Sequence, residues 1–295
     1  MNDTPAPAGA AARATFRNMT PSDVPLGLSL CRACRWNQLA RDWELFLRLS
    51  PRGCRVAEVE GKGVGTATTL RYQDRFGWVS MLLVDPAHRG QGIGTQLLLE
   101  ALSALSDMKT VRLDATPAGY PIYGRHGFVE EFRLRRMENL AVSGQGLESA
   151  PASVRPLTRA DLPAVAELDH QAFGADRREV LLSLFDGAPE YAWVLEEDGR
   201  IEGFTLGRHG FAFEQLGPVV TAREHVARAL ASACLARHTG KPFILDAPDH
   251  SPEWLQWLQQ AGFREQRPFI RMRCGPDPSG GRLDYLFAIA GPELG

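Results

Sequence analysis

The segment SMLLVDPAHRGQGIGTQLLLEAL, Ser80 to Leu102, decides the fold. It begins as an apolar run, passes through glycines at 90, 92 and 94, and continues with apolar residues at helical spacing. Ile93, Leu97, Ala101 and Leu105 share one stripe, backed by Leu98 and Leu102, which predicts a helix directly after the loop. The first amides of such a helix have no acceptor inside it, and the helix dipole adds partial positive charge there. Glycine permits φ > 0 and lets the backbone approach a ligand closely. A strand, this loop and a helix start together make a phosphate site.

Residue types then narrow the kind of phosphate. A Walker-type loop ends in Gly-Lys-Ser/Thr, whereas this one ends Gly94-Thr95. The dinucleotide fingerprint needs another glycine spacing. A second glycine stretch, GKGVG at Gly61 to Gly65, lies between two alternating patterns with no helix behind it, and predicts a hairpin turn.

Outward from the loop, FRNMTPSDVPLGLSLCRACRWNQ predicts a strand, a Thr-Pro-Ser-Asp helix start and a helix, and RDWELFLRLS a second helix. CRVAEVEGKGVGTATTLRY reads as a hairpin and GWVSMLLV as a buried strand. After the glycine loop and its helix come a strand (TVRLDAT), a short helix (GYPIYGRHG) and a last strand (FVEEFRLRRMEN). AVSGQGLESAPA, residues 141–152, has linker composition. The same element order then recurs from SVRPLTRADLPAVAELDHQAF to FIRMRCG, which predicts two copies of one fold. The final stretch contains YLFAIA, apolar enough to pack back onto the body.

Bulk properties set limits. The chain has 295 residues, 44% hydrophobic and 23% charged, with a net charge of −2. No basic balance points to nucleic acid. No run of ~20 apolar residues points to a membrane span. The opening MNDTPAPAGAAARAT lacks the apolar core of a secretion signal and reads as a disordered tail over 1–14, which implies a cytoplasmic protein. The five cysteines are expected as thiols, and Cys31 with Cys34 forms a lone CxxC without the second pair a zinc site needs, so no metal is expected.

The string RGQGIG resembles the R/Q-x-x-G-x-G/A pyrophosphate loop of the GNAT N-acetyltransferases, matched at Arg89, Gly92 and Gly94. Val84-Asp85-Pro86 resembles that family's loop entry, and IYGRHGF resembles its lYeklGF, placing Tyr123 on the common general acid. The resemblance covers Phe16 to about Asn139. It implies an α/β (α+β) chain of two tandem GNAT-like domains, each a mixed, mostly antiparallel sheet flanked by helices. The domains would be 15–140, the working acetyltransferase, and 153–295, a degenerate copy as in bacterial two-domain members.

The resemblance also implies a site. Acetyl-CoA as co-substrate would lie between the fourth and fifth strands. Leu82, Leu83 and Val84 would face its pantetheine arm, and Arg89, Gly90, Gln91, Gly92, Ile93, Gly94 and Thr95 its pyrophosphate. An alkylamine of pKa ~10 must lose a proton before attack. GWVSMLLV offers no carboxylate for this, only Ser80, so Asp114 and Glu58 stand as candidate bases, each also suited to a structural role. Trp36, Asn37 and Trp43 fall where the family walls its acceptor site, and the tryptophans equally suit core positions.

In the second half Thr221-Ala222-Arg223-Glu224 replaces the glycine loop, and Leu258 aligns with Tyr123. Arg177, Arg178, Arg267 and Arg271 would favour an acidic acceptor if any faced the first half, and otherwise read as solvated surface. His209 and His250 show no metal pattern. The expected function is acetyl transfer to a primary amine of a small-molecule or amino-acid-like acceptor, with a homodimer allowed. A non-catalytic acyl-CoA sensor and a transferase of longer acyl groups are the alternatives.

Overall fold

The computed structural model describes residues 14–277 and 280–295. The tail expected over 1–14 therefore lies, apart from Ala14, outside the described residues.

The first half runs β1 (Thr15–Asn18), α1 (Val24–Ala33), α2 (Ala40–Leu49), β2 (Arg55–Val59), β3 (Lys62–Tyr72), β4 (Phe76–Val84), α3 (Ile93–Ala104), β5 (Val111–Ala115), α4 (Tyr120–Arg125) and β6 (Val129–Asn139). The second runs β7 (Val154–Pro156), α5 (Leu162–Phe173), α6 (Arg178–Gly187), β8 (Trp193–Glu197), β9 (Arg200–Arg208), β10 (Glu214–Thr221), α7 (Glu224–Ala236), β11 (Phe243–Pro248), α8 (Pro252–Gln260) and β12 (Arg264–Cys274). A last strand, β13 (Leu286–Ala288), follows. GKGVG does form the turn and start of the β2–β3 hairpin, with Glu60 and Gly61 at positive φ.

The repeat shows in a clamp built twice. Arg17 on β1 forks onto Asp23 at 2.7 and 2.8 Å and reaches Glu58 on β2 at 2.8 Å. Arg155 on β7 forks onto Asp161 at 2.8 Å and reaches Glu196 on β8 at 2.6 Å. Each aspartate also closes a capping box, accepting from the amide of Thr20 or Thr158 at 2.8 Å. One arginine thus ties a strand, a helix entry and the neighbouring strand in each half.

All the described strands join one sheet, in the order β1-β2-β3-β4-β5-β12-β6-β11-β10-β9-β8-β7, with β13 on β10. The last strands are exchanged. β12 of the second half lies antiparallel to β5 of the first, and β6 of the first lies antiparallel to β11 of the second. The two exchanged strands pair with each other at the centre. The halves expected as 15–140 and 153–295 therefore complete each other's sheets. Residues 141–152 form no helix or strand, and Val142 is buried against the second half, its amide donating to Lys241 O at 3.1 Å.

A common irregularity opens each half. β4 and β5 are parallel partners only at Gly77↔Val111 and Trp78↔Arg112. β4 then carries a bulge against β3, with Met81 at φ 48, and bends away. β10 and β11 pair only at Glu214↔Phe243 and Gln215↔Ile244 before a similar register shift at Gly217. In the second half the resulting gap is filled by the chain itself. β13 pairs with β10, and the Ile289 amide donates to Asp246 O on β11 at 3.0 Å. A Cβ at Gly217 would lie 2.1 Å from the Ile289 carbonyl, so glycine admits this segment. In the first half the gap stays open.

Candidate active site

The open gap holds a cleft of about 770 Å³. One wall is the end of β4 with the glycine loop and the start of α3, and the other is the α4 region after β5. Gly90 and Gly92 have φ of 76 and 80, where an L side chain is strained. A Cβ at either would meet nothing within 4 Å, so the glycines are required by conformation and leave the cradle open. Gly92 caps α3, whose first amides point out of the helix without intrahelical acceptors. Of the residues predicted to hold the cofactor, Leu82, Leu83, Val84, Arg89, Gly90, Gly92, Ile93, Gly94 and Thr95 line the cleft, while Gln91 is exposed and does not. Arg89 donates to Val84 O at 3.2 Å and to Cys34 Sγ at 3.1 Å.

A second, smaller cavity of about 80 Å³ lies beyond β4, against the exchanged strands. Trp36, Leu82, Thr116 and Tyr123 line both spaces, so cleft and chamber meet there. Tyr123 sits on the short α4. Its amide is held by Gly119 O at 3.0 Å, and its ring packs edge-on against the buried Phe128, centroids 5.9 Å apart. Burial pushes its phenol up to about 12. Trp36 sits on the α1–α2 turn, fixed by Arg32, which donates to the carbonyls of Trp36 at 2.9 Å and Gln38 at 2.7 Å.

The remaining site predictions divide. Ser80 lines the chamber, its hydroxyl hydrogen-bonded to that of Thr68 at 2.9 Å. Asp114 also lines it, but both carboxylate oxygens accept from Arg271 at 2.8 Å. Three calls need correction. Glu58 belongs to the Arg17 clamp, as Glu196 does to the Arg155 clamp, and lines neither space. Asn37 is buried and joins the halves, its amide donating to Phe213 O at 2.8 Å and its oxygen accepting from Ala212 N at 2.9 Å. Trp43 is fully buried in the main core, packed on Gly27, where a Cβ would meet its ring at 2.6 Å.

Arg267, noted in sequence, enters the chamber from β12, and the other walls were missed because the chain brings them from afar. Arg136 comes from β6, Phe269 from β12, and Pro292 and Glu293 from the final segment. First-half residues pin that segment. Trp78 Nε1 donates to Pro292 O at 3.1 Å, and Tyr72 hydroxyl to Leu294 O at 2.6 Å. Of the arginines noted in sequence, Arg271 holds Asp114 and Arg177 holds Asp169 at 2.8 and 2.9 Å, while Arg178 pairs locally with Asp176. Arg267 alone of the four faces the chamber without an acid. In the second half Leu258 is fully buried, and Glu224 at the start of α7 accepts from Ser251 Oγ at 2.7 Å. His209 pairs with Glu190 and Glu214.

A strand, glycine loop and helix start in a splayed sheet, with a tyrosine where the cleft meets a second chamber, form the layout that the resemblance implies for an acyltransferase. Comparison with known proteins agrees. Residues 50–130 and residues 165–288 each match a family model described as an acetyltransferase (GNAT) domain. The chain belongs to the GNAT acetyltransferases and carries the domain twice. It is 26% identical over 262 residues to the holothin acyltransferase of a Pseudoalteromonas species, covering 88% of this chain and 87% of that one. A crystal structure from Pyrococcus horikoshii superposes with TM-score 0.80 at 23% identity, covering 100% of both chains. A tandem GNAT protein from the clavulanic acid biosynthesis pathway superposes with TM-score 0.64 at 19% identity, over 90% of this chain and 99% of that chain. No helix among the described residues is long and apolar enough to cross a membrane.

Proposed function

We propose that the chain transfers an acetyl group from acetyl-CoA to a primary amine of a small-molecule or amino-acid-like acceptor, using the first-half cleft alone. The carrying observation is the shared border of cleft and chamber at Trp36, Leu82, Thr116 and Tyr123. A thioester entering from the glycine loop and an amine entering from the chamber meet there. The amides at the start of α3 suit a pyrophosphate. The second-half gap, filled by β13, leaves no equivalent space between β10 and β11.

The amine nitrogen forms the new bond to the acetyl carbon as the carbon–sulfur bond breaks. Its surplus proton passes to water in the chamber, because Asp114 has a guanidinium partner in place of a free edge. With the phenol at about 12, full transfer to a thiolate of pKa ~8.5 would be uphill by ~5 kcal/mol. Tyr123 therefore acts as a hydrogen-bond donor to the developing sulfur charge, and the thiolate takes its proton from solvent after release.

Calorimetric titration of acetyl-CoA, followed by thiol release with an amine panel, tests this. One site per chain with turnover is expected. Tight binding with no turnover on any amine would favour the sensor reading, and no binding would end the proposal. A propionyl- to octanoyl-CoA series fixes the acyl length.

A further inference from the structure

The charged groups around the chamber form a row across the sheet. Arg271 on β12 pairs with Asp114 on β5. Arg136 on β6 pairs with Asp246 on β11 at 2.7 and 2.8 Å. Gln215 donates to Asp246 at 3.0 Å and accepts from Arg208 at 2.7 Å. Arg208 holds both Asp42, at 2.9 Å, and Glu293. Burial raises the Asp42 carboxyl, whereas Arg208 keeps Glu293 below its ordinary value against its own burial.

Arg267 breaks the pattern. It stands opposite Arg136 in the β12–β6 register, and both guanidiniums lie over the Phe269 ring, at 4.9 and 5.0 Å. Its Nε is buried with no hydrogen-bond partner, and it joins no ion pair among the described residues. Burial and the neighbouring Arg136 push it down to about 10. An arginine held this way is a cost to the folded protein. Its five donors in a planar fork match a carboxylate.

We propose that Arg267 is the receptor for a carboxylate on the acceptor, which makes the acceptor an amino acid or a close analogue. This rests on the transfer reading, with the amine of the same molecule directed to the Leu82–Tyr123 border. A single unpaired positive charge suits a carboxylate. A phosphate monoester would bring nearly two negative charges to it. The strand exchange gives the second half its part in the site, since β12 carries specificity into a chamber whose chemistry belongs to the first half.

The test uses the full chain saturated with CoA and saturation-transfer NMR on amino acids, their amides and phosphoethanolamine, so that binding is read without turnover. Acids should bind ~10- to 100-fold better than matched amides, the worth of one charge-assisted pair. Arg267→Gln should bring that ratio towards one while raising the melting temperature, because a half-buried charge whose Nε has no partner is removed. Arg267→Lys should keep part of the preference. The proposal is overturned if acids bind no better than amides, if neither binds, if the preference survives Arg267→Gln, or if phosphoethanolamine outbinds every acid. Acetyl-CoA titration on the same samples stays a separate readout, so failure of the transfer reading is told apart from failure of this one.

Discussion

Asp114 on β5 and Arg271 on β12 are joined by two hydrogen bonds of 2.8 Å across 157 residues of sequence. The guanidinium lies 4.6 Å from the Trp78 ring and 4.9 Å from that of Phe132, and both charged side chains are buried. The pair holds the exchanged strand on the first half, which sets where Arg267 and Phe269 stand, four and two residues back along the same face. Removing one partner leaves the other as an uncompensated buried charge, at ~3–5 kcal/mol. Asp114→Ala should lose that much in urea unfolding, and adding Arg271→Met should recover much of it. A single variant as stable as the parent would show that the pair does not hold the strand.

Tyr123→Phe should lower kcat ~100-fold while leaving acetyl-CoA affinity, read by calorimetry, unchanged. The phenol, raised to about 12, stays protonated and able to donate throughout pH 6–10. Activity should therefore rise with pH as the acceptor amine loses its proton, with no falling limb from Tyr123 below pH ~11. A falling limb near pH 9 that vanishes in the phenylalanine variant would contradict this environment for the tyrosine.

Gly92→Val separates conformation from space. Nothing lies within 4 Å of the added Cβ, so the entire effect comes from φ 80. Left-handed backbone costs an L residue ~1–2 kcal/mol, more when β-branched, and the loop should relax out of its cradle shape. Acetyl-CoA should bind at least ~10-fold more weakly, which corresponds to ~1.4 kcal/mol. Unchanged affinity would mean that the loop does not cradle the cofactor.

Much of the site was legible because its signals are local. The glycines at 90, 92 and 94 and the stripe of α3 lie within a few residues of each other, and Tyr123 follows at a short distance. The clamp role of Glu58 was less visible. Its partner Arg17 is 41 residues away, and only the matching Arg155–Glu196 pair gives it meaning. Trp43 and Asn37 were drawn towards the site by nearness to Trp36. Helical spacing sends Trp43 into the core, and Asn37 spends its amide on a loop 176 residues on. Arg136, Phe269 and Glu293 carry no local mark at all. They reach the chamber through strand exchange and a tail that fills the second gap, both long-range pairings that periodicity does not encode.

The exchange makes a claim about folding units. β6 pairs on one side with β12 and on the other with β11, both from the second half. A fragment of residues 1–152 keeps the glycine loop but leaves this strand without a partner from its own half, and exposes the edge of β5 as well. Two open edges invite association. The fragment should aggregate, or dimerise by laying β6 of one copy against β5 of the other, and should not be a folded monomer in size-exclusion chromatography with light scattering. Co-expression with residues 153–295 should restore a one-to-one complex that binds acetyl-CoA, since both exchanged strands then find their neighbours. A monomeric, cooperatively melting fragment that binds acetyl-CoA would show that the first half closes its own sheet, and that β12 is an addition to it and not a requirement.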